Sequence, residues 1–282
     1  MIKNKVWIVG ADGRLGMSLQ KLMDPMEYEI LRTDIDAVDL TKTEEVITFA
    51  KRNRPDIIIN CAGFTNVAKC EEDPDAAYRV NVLGERNISV AANMVDAKQI
   101  FISTKMVYPA NAEKEVTEFD ALAPQNTFAK TKAAAEELVK SLTNEYFIIR
   151  TGWMYGKKND FVNHLVGLSK TRKSIALSDE VYGSPTSAKE VAEFIVRIMD
   201  SHEYGTYNVA CEGRCSVYEF AQEVKRLLHL DVELVKAKPG EEELTEYYPA
   251  DVRSRSMMME LSGMEPLLAW EEALKRYVTD NF

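Results

Sequence analysis

Short apolar runs alternate with helical patterns through the first 150 residues of the chain. Strand-like stretches lie at 5–10, 28–34, 56–63, 98–108 and 146–153, and the stretch 56–63 is a continuous apolar run, as expected for a strand that is covered on both faces of a sheet. Amphipathic patterns with the 3.6-residue helical period fill about 15–23, 43–55, 74–94 and 127–143. This alternation predicts an α/β fold with a Rossmann-type doubly wound parallel sheet and right-handed crossovers.

The pattern is looser after Gly152. Helices are predicted at about 160–171, 187–200 and 216–229, strands at 205–210 and 231–238, a turn-rich loop at 181–186, and an irregular tail with one late helix. We therefore predict a dinucleotide-binding Rossmann domain over 1–151, joined by about 187–210. A smaller C-terminal substrate-binding lobe is predicted over 152–186 and 211–282.

Charge and composition exclude some functions. The net charge of −10 and the pI of about 5.0 argue against a general nucleic-acid or anionic-membrane surface. No apolar run approaches the length of a membrane span, and the chain enters its first apolar run without signal-peptide architecture, so we expect a cytoplasmic protein. The four cysteines form no CxxC pair and the three histidines are scattered, so we expect reduced structural cysteines and no metal.

Three glycines follow the first predicted strand and open the first helix. Gly10, Gly13 and Gly16 form a GxxGxxG motif, one residue longer than the usual GxGxxG spacing. Glycines at such a place allow a tight turn and close approach of the backbone to a pyrophosphate, and the helix N-terminus supplies amide donors. The motif therefore predicts dinucleotide binding by the loop, including Asp12, Arg14 and Leu15.

Two charged residues give conflicting indications about the dinucleotide. Asp34 ends the second predicted strand, where a carboxylate can bind the ribose 2′-hydroxyl of NAD(H). Arg14 lies inside the glycine loop, where a guanidinium can pair with the 2′-phosphate of NADP(H). NADP(H) and NAD(H) both stay open, with NADP(H) slightly favoured.

Several motifs together resemble the extended short-chain dehydrogenase/reductase family. They are the glycine motif, "NCAG" at 60–63, "VNVLGERN" at 80–87, "ST" at 103–104, and a residue four positions before Lys132. The stretches "RPDIIINCAGFTNV", "IIRTGWMYG", "GSPTSAKEVAEFI" and "GTYNVACEGRCSVYEFAQEV" are similar to the branch of this family that reduces a sugar ketone carried on dTDP. The resemblance covers about residues 3–229, and the stretch "YYPADVRSRSMMMELSG" matches only loosely.

The resemblance implies site residues on both sides of a cleft. Cofactor contacts are implied for the glycine loop and for Asp34, Asp39, Cys61, Ala62, Gly63 and Lys132. Sugar contacts are implied for Thr65, Lys105, Met106 and Trp153, with Lys105 and Met106 standing where the family has an aspartate and a tyrosine. Asn81 matches a helix position that ties the sheet together. The expected partner is a dTDP-sugar substrate, and a homodimer is left open.

The implied catalytic set is incomplete. Family chemistry uses a threonine or serine to orient the ketone, a tyrosine to give the proton and a lysine to bind the nicotinamide ribose. Thr104 and Lys132 match two of these, but Phe128 occupies the tyrosine position. Losing a positioned proton donor costs roughly 10²–10⁴-fold in rate. Two functions therefore stay open: a reductase of a nucleotide-activated 4-keto sugar, or a catalytically impaired NAD(P)-binding regulatory or scaffold protein.

Three tyrosines lie on segments near the expected cleft and are candidates to replace the missing donor. They are Tyr108, Tyr155 and Tyr182. A general acid must reach the atom that takes the proton, and Tyr108 is expected to point elsewhere because it lies four residues past Thr104. We expect none of the three to act as the donor.

Overall fold

The computed structural model describes residues 3–110, 114–156, 159–238, 240–247 and 251–282. Its main sheet consists of β1 (Asn4–Val9), β2 (Tyr28–Thr33), β3 (Ile57–Asn60), β4 (Lys98–Thr104), β5 (Tyr146–Thr151) and β10 (Gly205–Val209). These six strands are all parallel, in the order β10-β5-β4-β3-β1-β2. The predicted α/β fold with a doubly wound parallel sheet is confirmed.

Helices cover both faces of this sheet. They are α1 (Arg14–Leu22), α2 (Thr43–Asn53), α3 (Val67–Glu72), α4 (Pro74–Tyr78), α5 (Gly84–Val95), α6 (Thr127–Leu142), α7 (Phe161–Ser169), α8 (Ala188–Ile198), α9 (Val217–Leu228), α10 (Met257–Leu261) and α11 (Trp270–Asn281). Helix α1 packs beside α8, and α5 packs between α2 and α6. Within the described parts of the chain, no helix is long and apolar enough to cross a membrane.

The alternation of side chains along β3 shows how the sheet is buried. Ile57 and Ile59 pack into a cluster that contains side chains of α1 and α8. Ile58 packs on the other face, in a cluster with side chains of α2 and α5. Because successive side chains of a strand point to opposite faces, a continuous apolar run is needed to fill both layers.

The smaller strands correct several sequence predictions. They are β6 (Trp153–Tyr155), β7 (Ser174–Leu177), β8 (Tyr182–Gly183), β9 (Pro185–Ser187), β11 (Cys215–Ser216) and β12 (Glu233–Lys236). The predicted turn-rich loop 181–186 contains β8, which pairs with β11, and the start of β9, which pairs with β6. The predicted strand 146–153 ends at Thr151 and a new strand starts at Trp153. Strands of two or three residues are set by tertiary pairing, which periodicity does not detect.

Helical boundaries differ as well. The predicted helix 74–94 has a π-helical segment at Arg79–Leu83, and the separate helix α3 precedes it. The predicted single late helix is wrong, because the tail contains α10, α11 and a 3₁₀ turn at Thr245–Tyr247. Residues 248–250 of the loosely matching tail lie outside the described residues.

A buried ion pair joins the central strands to α6. The Arg150 guanidinium lies 2.6 Å from the Glu136 carboxylate, and both side chains are almost fully buried. Ser103 donates to Glu136 at 2.6 Å, and Arg150 also donates to the Tyr108 hydroxyl at 2.5 Å. The network thus fixes β4, β5 and α6 relative to one another.

Replacing Arg150 with methionine is expected to lower the free energy of unfolding by about 3–5 kcal/mol, because Glu136 is left as a buried and unpaired charge. The matched control is Lys140→Met, which removes a half-buried ammonium 3.9 Å from the same carboxylate and is expected to cost less than about 1 kcal/mol. Urea unfolding measures both changes. Equal, small losses in the two variants would contradict this account of the network.

Candidate active site

A cleft of about 850 Å³ opens at the carboxyl ends of the central strands. This is the edge where doubly wound sheets bind ligands, because the loops after parallel strands converge there. Sixteen of the eighteen predicted site residues line it: Gly10, Gly13, Arg14, Leu15, Asp34, Asp39, Cys61, Ala62, Gly63, Thr65, Thr104, Lys105, Met106, Phe128, Lys132 and Trp153. Asp12 and Gly16 are not among the lining residues.

The glycine loop packs too closely for side chains. Gly10 has φ +72°, and a Cβ there would lie 2.7 Å from the Ala62 amide nitrogen. A Cβ on Gly16 would lie 2.5 Å from the Gly10 carbonyl oxygen, so a glycine is required at this position for the loop to pack on α1. Gly13 is the N-cap of α1 and has no side chain to cap it, so first-turn amides stay available to an anion.

The two residues that bear on cofactor choice lie at different places along the cleft. The Asp34 carboxylate accepts hydrogen bonds from the amides of Asp12, at 3.3 Å, and Ile35, at 2.9 Å. The Arg14 guanidinium contacts a different segment from Asp34: its Nη2 donates to the Asn159 carbonyl oxygen at 3.1 Å. Asp12 therefore contributes a backbone amide to the placement of Asp34 and does not line the cleft itself.

Asp39 lies on the same side of the cleft, in the segment after β2. Its Oδ1 accepts hydrogen bonds from the hydroxyl of Thr41, at 2.8 Å, and from the Thr41 amide, at 2.9 Å. These bonds hold the pKa of Asp39 below its usual value. A carboxylate at this position is therefore ionised, and it is fixed by the turn that contains Thr41.

Asn81 fixes the loop after β3. Its side-chain amide bonds both the N–H and the C=O of Phe64, at 2.8 and 3.0 Å, and donates to the Thr131 hydroxyl at 2.9 Å. Thr131 in turn donates to the Phe128 carbonyl at 2.7 Å. The sequence prediction that Asn81 ties the sheet together needs correction, because Asn81 joins this loop to α6.

Lys132 is buried under the same loop. Its Nζ donates to the Ile102 carbonyl at 2.7 Å, and a Cβ added to Gly63 would lie 3.5 Å from it. Burial lowers the pKa of Lys132 to about 8, against the opposing effect of the Glu85 and Glu136 charges. At neutral pH the ammonium form therefore persists but is easily deprotonated.

Glu85 is the buried acid whose charge raises the pKa of Lys132 most. Burial raises its pKa to about 7, although side-chain amides of Asn60 and Gln99 donate to it. Asn60 also accepts from the Ala62 amide at 3.0 Å. The acid thus supports the strand end against which Gly10 packs.

The Phe128 ring lies one helical turn before Lys132 and is 8% exposed. It packs in an apolar cluster with Cys70 and Ala77, joined by Phe64, Val67 and Met106. Thr104 lies at the end of β4, and its hydroxyl oxygen accepts from the amide of Met106, a member of this cluster, at 3.2 Å. The Thr104 proton remains available to a ligand oxygen.

The three candidate tyrosines do not line the described cleft. Tyr108 donates to Asn208 at 2.9 Å inside the buried network, as expected for a residue that points elsewhere. Tyr155 is buried between Phe220 and Tyr277, and Tyr182 lies under the Arg214 guanidinium at 4.2 Å.

Thr151 and Ser184 are two of the lining residues that the sequence analysis did not identify. Thr151 is in register with Thr104 at the end of β5, and its buried hydroxyl has no hydrogen-bond partner among the described residues. Ser184 lies opposite Gly152, where a Cβ would be 2.8 Å from the Ser184 carbonyl oxygen. The position of Thr151 at the end of a predicted parallel strand is a signal that could have identified it.

The sheet topology defines a Rossmann-like α/β protein with a cleft at the carboxyl ends of its strands, and comparison with known proteins gives the family. Residues 4–281 match the family described as RmlD substrate binding domain. The chain belongs to this family.

Individual relatives agree over most of the chain. It is 30% identical to the spore coat polysaccharide biosynthesis protein SpsK of Bacillus subtilis over 278 residues, covering 98% of each chain. It is 31% identical to dTDP-4-dehydrorhamnose reductase of Escherichia coli, covering 77% of this chain and 75% of the relative.

Solved structures give the same result. A dTDP-4-dehydrorhamnose reductase of Clostridium acetobutylicum matches with a TM-score of 0.91 and 36% identity over 98% of both chains. The Bacillus anthracis dTDP-4-dehydrorhamnose reductase, solved in complex with NADP, matches with a TM-score of 0.93 and 35% identity, covering 99% of this chain and 100% of that one.

Cys61 gives a test of the cleft that does not depend on any activity. Burial raises the pKa of its thiol to about 12, so at pH 7.5 the reactive thiolate is scarce. We expect iodoacetamide to alkylate Cys61 at least about 100-fold more slowly than a cysteine introduced at exposed Ser174 (Ser174→Cys), as measured by peptide mass spectrometry. Equal labelling rates would show that the described environment of Cys61 is wrong.

Proposed function

We propose that the protein is an NAD(P)H-dependent reductase of a nucleotide-linked 4-keto sugar, similar to dTDP-4-dehydrorhamnose reductase, and that it turns over slowly. One observation carries the proposal: the uncapped N-terminus of α1 and the pair Thr104 and Lys132 line a single cleft. The names of the relatives and the NADP in the B. anthracis structure support the choice of substrate and cofactor.

The glycine loop and the first turn of α1, together called the cradle, fit a dinucleotide because the absence of side chains there lets a pyrophosphate come close to the backbone. Gly10 and Gly13 leave room for a pyrophosphate, and the amides at the start of α1 supply donors to it. Bound NAD(P)H supplies a hydride. Lys132 is placed to hold the nicotinamide ribose, since its ammonium lies directly beneath Gly63.

The residues at the sugar end of the cleft orient the ketone, but the side chain at position 128 supplies no proton to it. The Thr104 hydroxyl, whose proton is unused, donates a hydrogen bond to the ketone oxygen and so stabilises negative charge that develops there. Trp153 packs edge-on against Phe161 and Phe220 and offers a fixed apolar wall. Phe128 cannot donate a proton, so the rate of the chemical step is low.

The second candidate is a regulatory or scaffold protein that binds NAD(P)(H) without turnover. The apolar cluster around Phe128 favours it, because Phe64 and Met106 pack beside the ring, and Met106 and Phe128 stand where the resemblance implies tyrosines. In that case the cofactor half of the cleft is retained for structure or sensing. Direct turnover assays separate the two candidates.

The proposed function makes a first prediction about the cradle. Gly13→Val should weaken NADPH binding at least about 10-fold, because the added side chain occupies the backbone approach. Gly167→Val is the matched control, since a Cβ at Gly167 in α7 meets nothing within 4 Å. Fluorescence titration measures both affinities. Unchanged affinity in a folded Gly13→Val protein would exclude this loop as the cofactor site.

The second prediction concerns cofactor choice. If Arg14 turns from Asn159 to pair with the 2′-phosphate, Arg14→Ala should weaken NADPH binding about 10-fold or more and leave NADH binding nearly unchanged. Exposed Arg172 gives the control variant Arg172→Ala. Equal effects on both cofactors would instead assign the preference to Asp34.

The third prediction concerns the missing hydroxyl. Phe128→Tyr places a hydroxyl on the helical face shared with Lys132 and should raise kcat for dTDP-4-dehydrorhamnose roughly 10²-fold or more. NADPH oxidation at 340 nm follows the reaction. Fast turnover by the wild type would contradict this account, and so would the absence of a gain in a folded Phe128→Tyr variant that binds NADPH. If neither protein turns over, the second candidate function is favoured.

A further inference from the structure

Lys105 is a buried cation without a counter-ion at the sugar end of the cleft. It is 5% exposed, and the one hydrogen bond of its ammonium among the described residues goes to the Ser184 hydroxyl at 3.4 Å. The described residues place no carboxylate within 4 Å of its ammonium. Burying a cation in this way is costly, so such a group is more typical of a functional site than of a stable core.

The two acidic groups whose charges act on Lys105 are paired with another residue or exposed to solvent. Burial lowers the pKa of Lys105 to about 8, and the charges of Asp251 and Glu115 oppose this only in part. Asp251 is paired with Arg214, and Glu115 is exposed. The ammonium therefore carries a proton at neutral pH that it can release readily.

The position of Lys105 is defined by the strand ends. It follows Thr104 directly, and Thr104 is in register with Thr151 on β5. Its partner Ser184 lies against Gly152, the next residue after Thr151. The ammonium thus contacts the hydroxyl of Ser184, and both residues line the same cleft as Thr104 and Thr151.

The other groups that could deliver a proton are less suitable. The Lys132 ammonium donates to the Ile102 carbonyl at 2.7 Å, and its remaining donors are assigned to the nicotinamide ribose in the proposed function. Cys61 has a thiol whose pKa is raised to about 12 by burial, so it is a weak acid. The long bond from Lys105 to a hydroxyl, by contrast, can be exchanged for a ligand oxygen with little loss.

We propose that Lys105 is the proton donor in the ketone reduction, in place of the hydroxyl that Phe128 lacks. This inference rests on the proposed reductase function. The carbonyl carbon accepts a hydride from NAD(P)H and forms a C–H bond, while the electron pair of the C=O π bond moves to oxygen. That oxygen takes an N–H proton from the Lys105 ammonium. The products are a secondary alcohol, NAD(P)⁺ and a neutral amine, which regains its proton from water.

The test is a double-mutant cycle with dTDP-4-dehydrorhamnose and NADPH. Lys105→Met should lower kcat at least about 10²-fold in the wild-type background. In the Phe128→Tyr background the same change should lower kcat less than about 3-fold, because the new hydroxyl delivers the proton. Equal losses in both backgrounds would overturn the proposal and assign Lys105 to binding or structure.

A second variant keeps the positive charge at position 105 but removes the group that releases a proton. Lys105→Arg retains a cation that does not release its proton, so it should lose as much kcat as Lys105→Met. Retained activity would overturn the proposal even if Phe128→Tyr gave no gain. The control is Lys173→Met, at an exposed position outside the cleft.

NADPH affinity separates failure of this proposal from failure of the proposed function. Lys105→Met should bind NADPH as the wild type does, since Lys105 lies at the sugar end. A wild type that turns over and is insensitive to Lys105→Met contradicts the proton donor alone. A wild type that binds NADPH and shows no turnover at saturating sugar contradicts both.

Discussion

The close packing of the glycine loop on the end of β3 is the contact on which the cleft depends. Gly10 adopts a positive φ and approaches the Ala62 amide so closely that a single Cβ would collide with it. Ala62 is itself held by Asn60, which bonds the buried Glu85. The start of α1, the loop after β3 and the helix carrying Glu85 are therefore fixed together, and the cradle is formed before any ligand binds.

Burial displaces three charged side chains at the cleft and beneath it toward their neutral forms. Lys132 and Lys105 have pKa values lowered to about 8, and Glu85 has a pKa raised to about 7. The two lysines differ in what holds them, because Lys132 is bonded to a backbone carbonyl whereas Lys105 has only a long contact with a hydroxyl. The first arrangement suits a fixed positioning group, and the second suits a group that exchanges its partner during a reaction.

The sequence was sufficient for the main sheet and the glycine loop, since these depend on periodicity and on local backbone requirements, and the family resemblance located about half of the residues that line the cleft. It could not show that Gly16 serves loop packing, because that depends on the distance to the Gly10 carbonyl. It also could not show that Lys105 is buried. A lysine in a loop is normally solvated, and only the approach of Ser184 from a distant segment encloses it. The short strands β8 and β9 arise from the same long-range contacts.

The central claim is that the cofactor end of the cleft is intact and that the proton source at the sugar end has moved from position 128. The most direct measurement is a crystal structure with NADP⁺ and dTDP-rhamnose bound. The account predicts the pyrophosphate at the amides of residues 13–15 and the sugar O4 within hydrogen-bond distance of the Thr104 hydroxyl and the Lys105 ammonium. A sugar O4 that contacts a tyrosine hydroxyl instead, or a pyrophosphate bound away from the glycine loop, would contradict it.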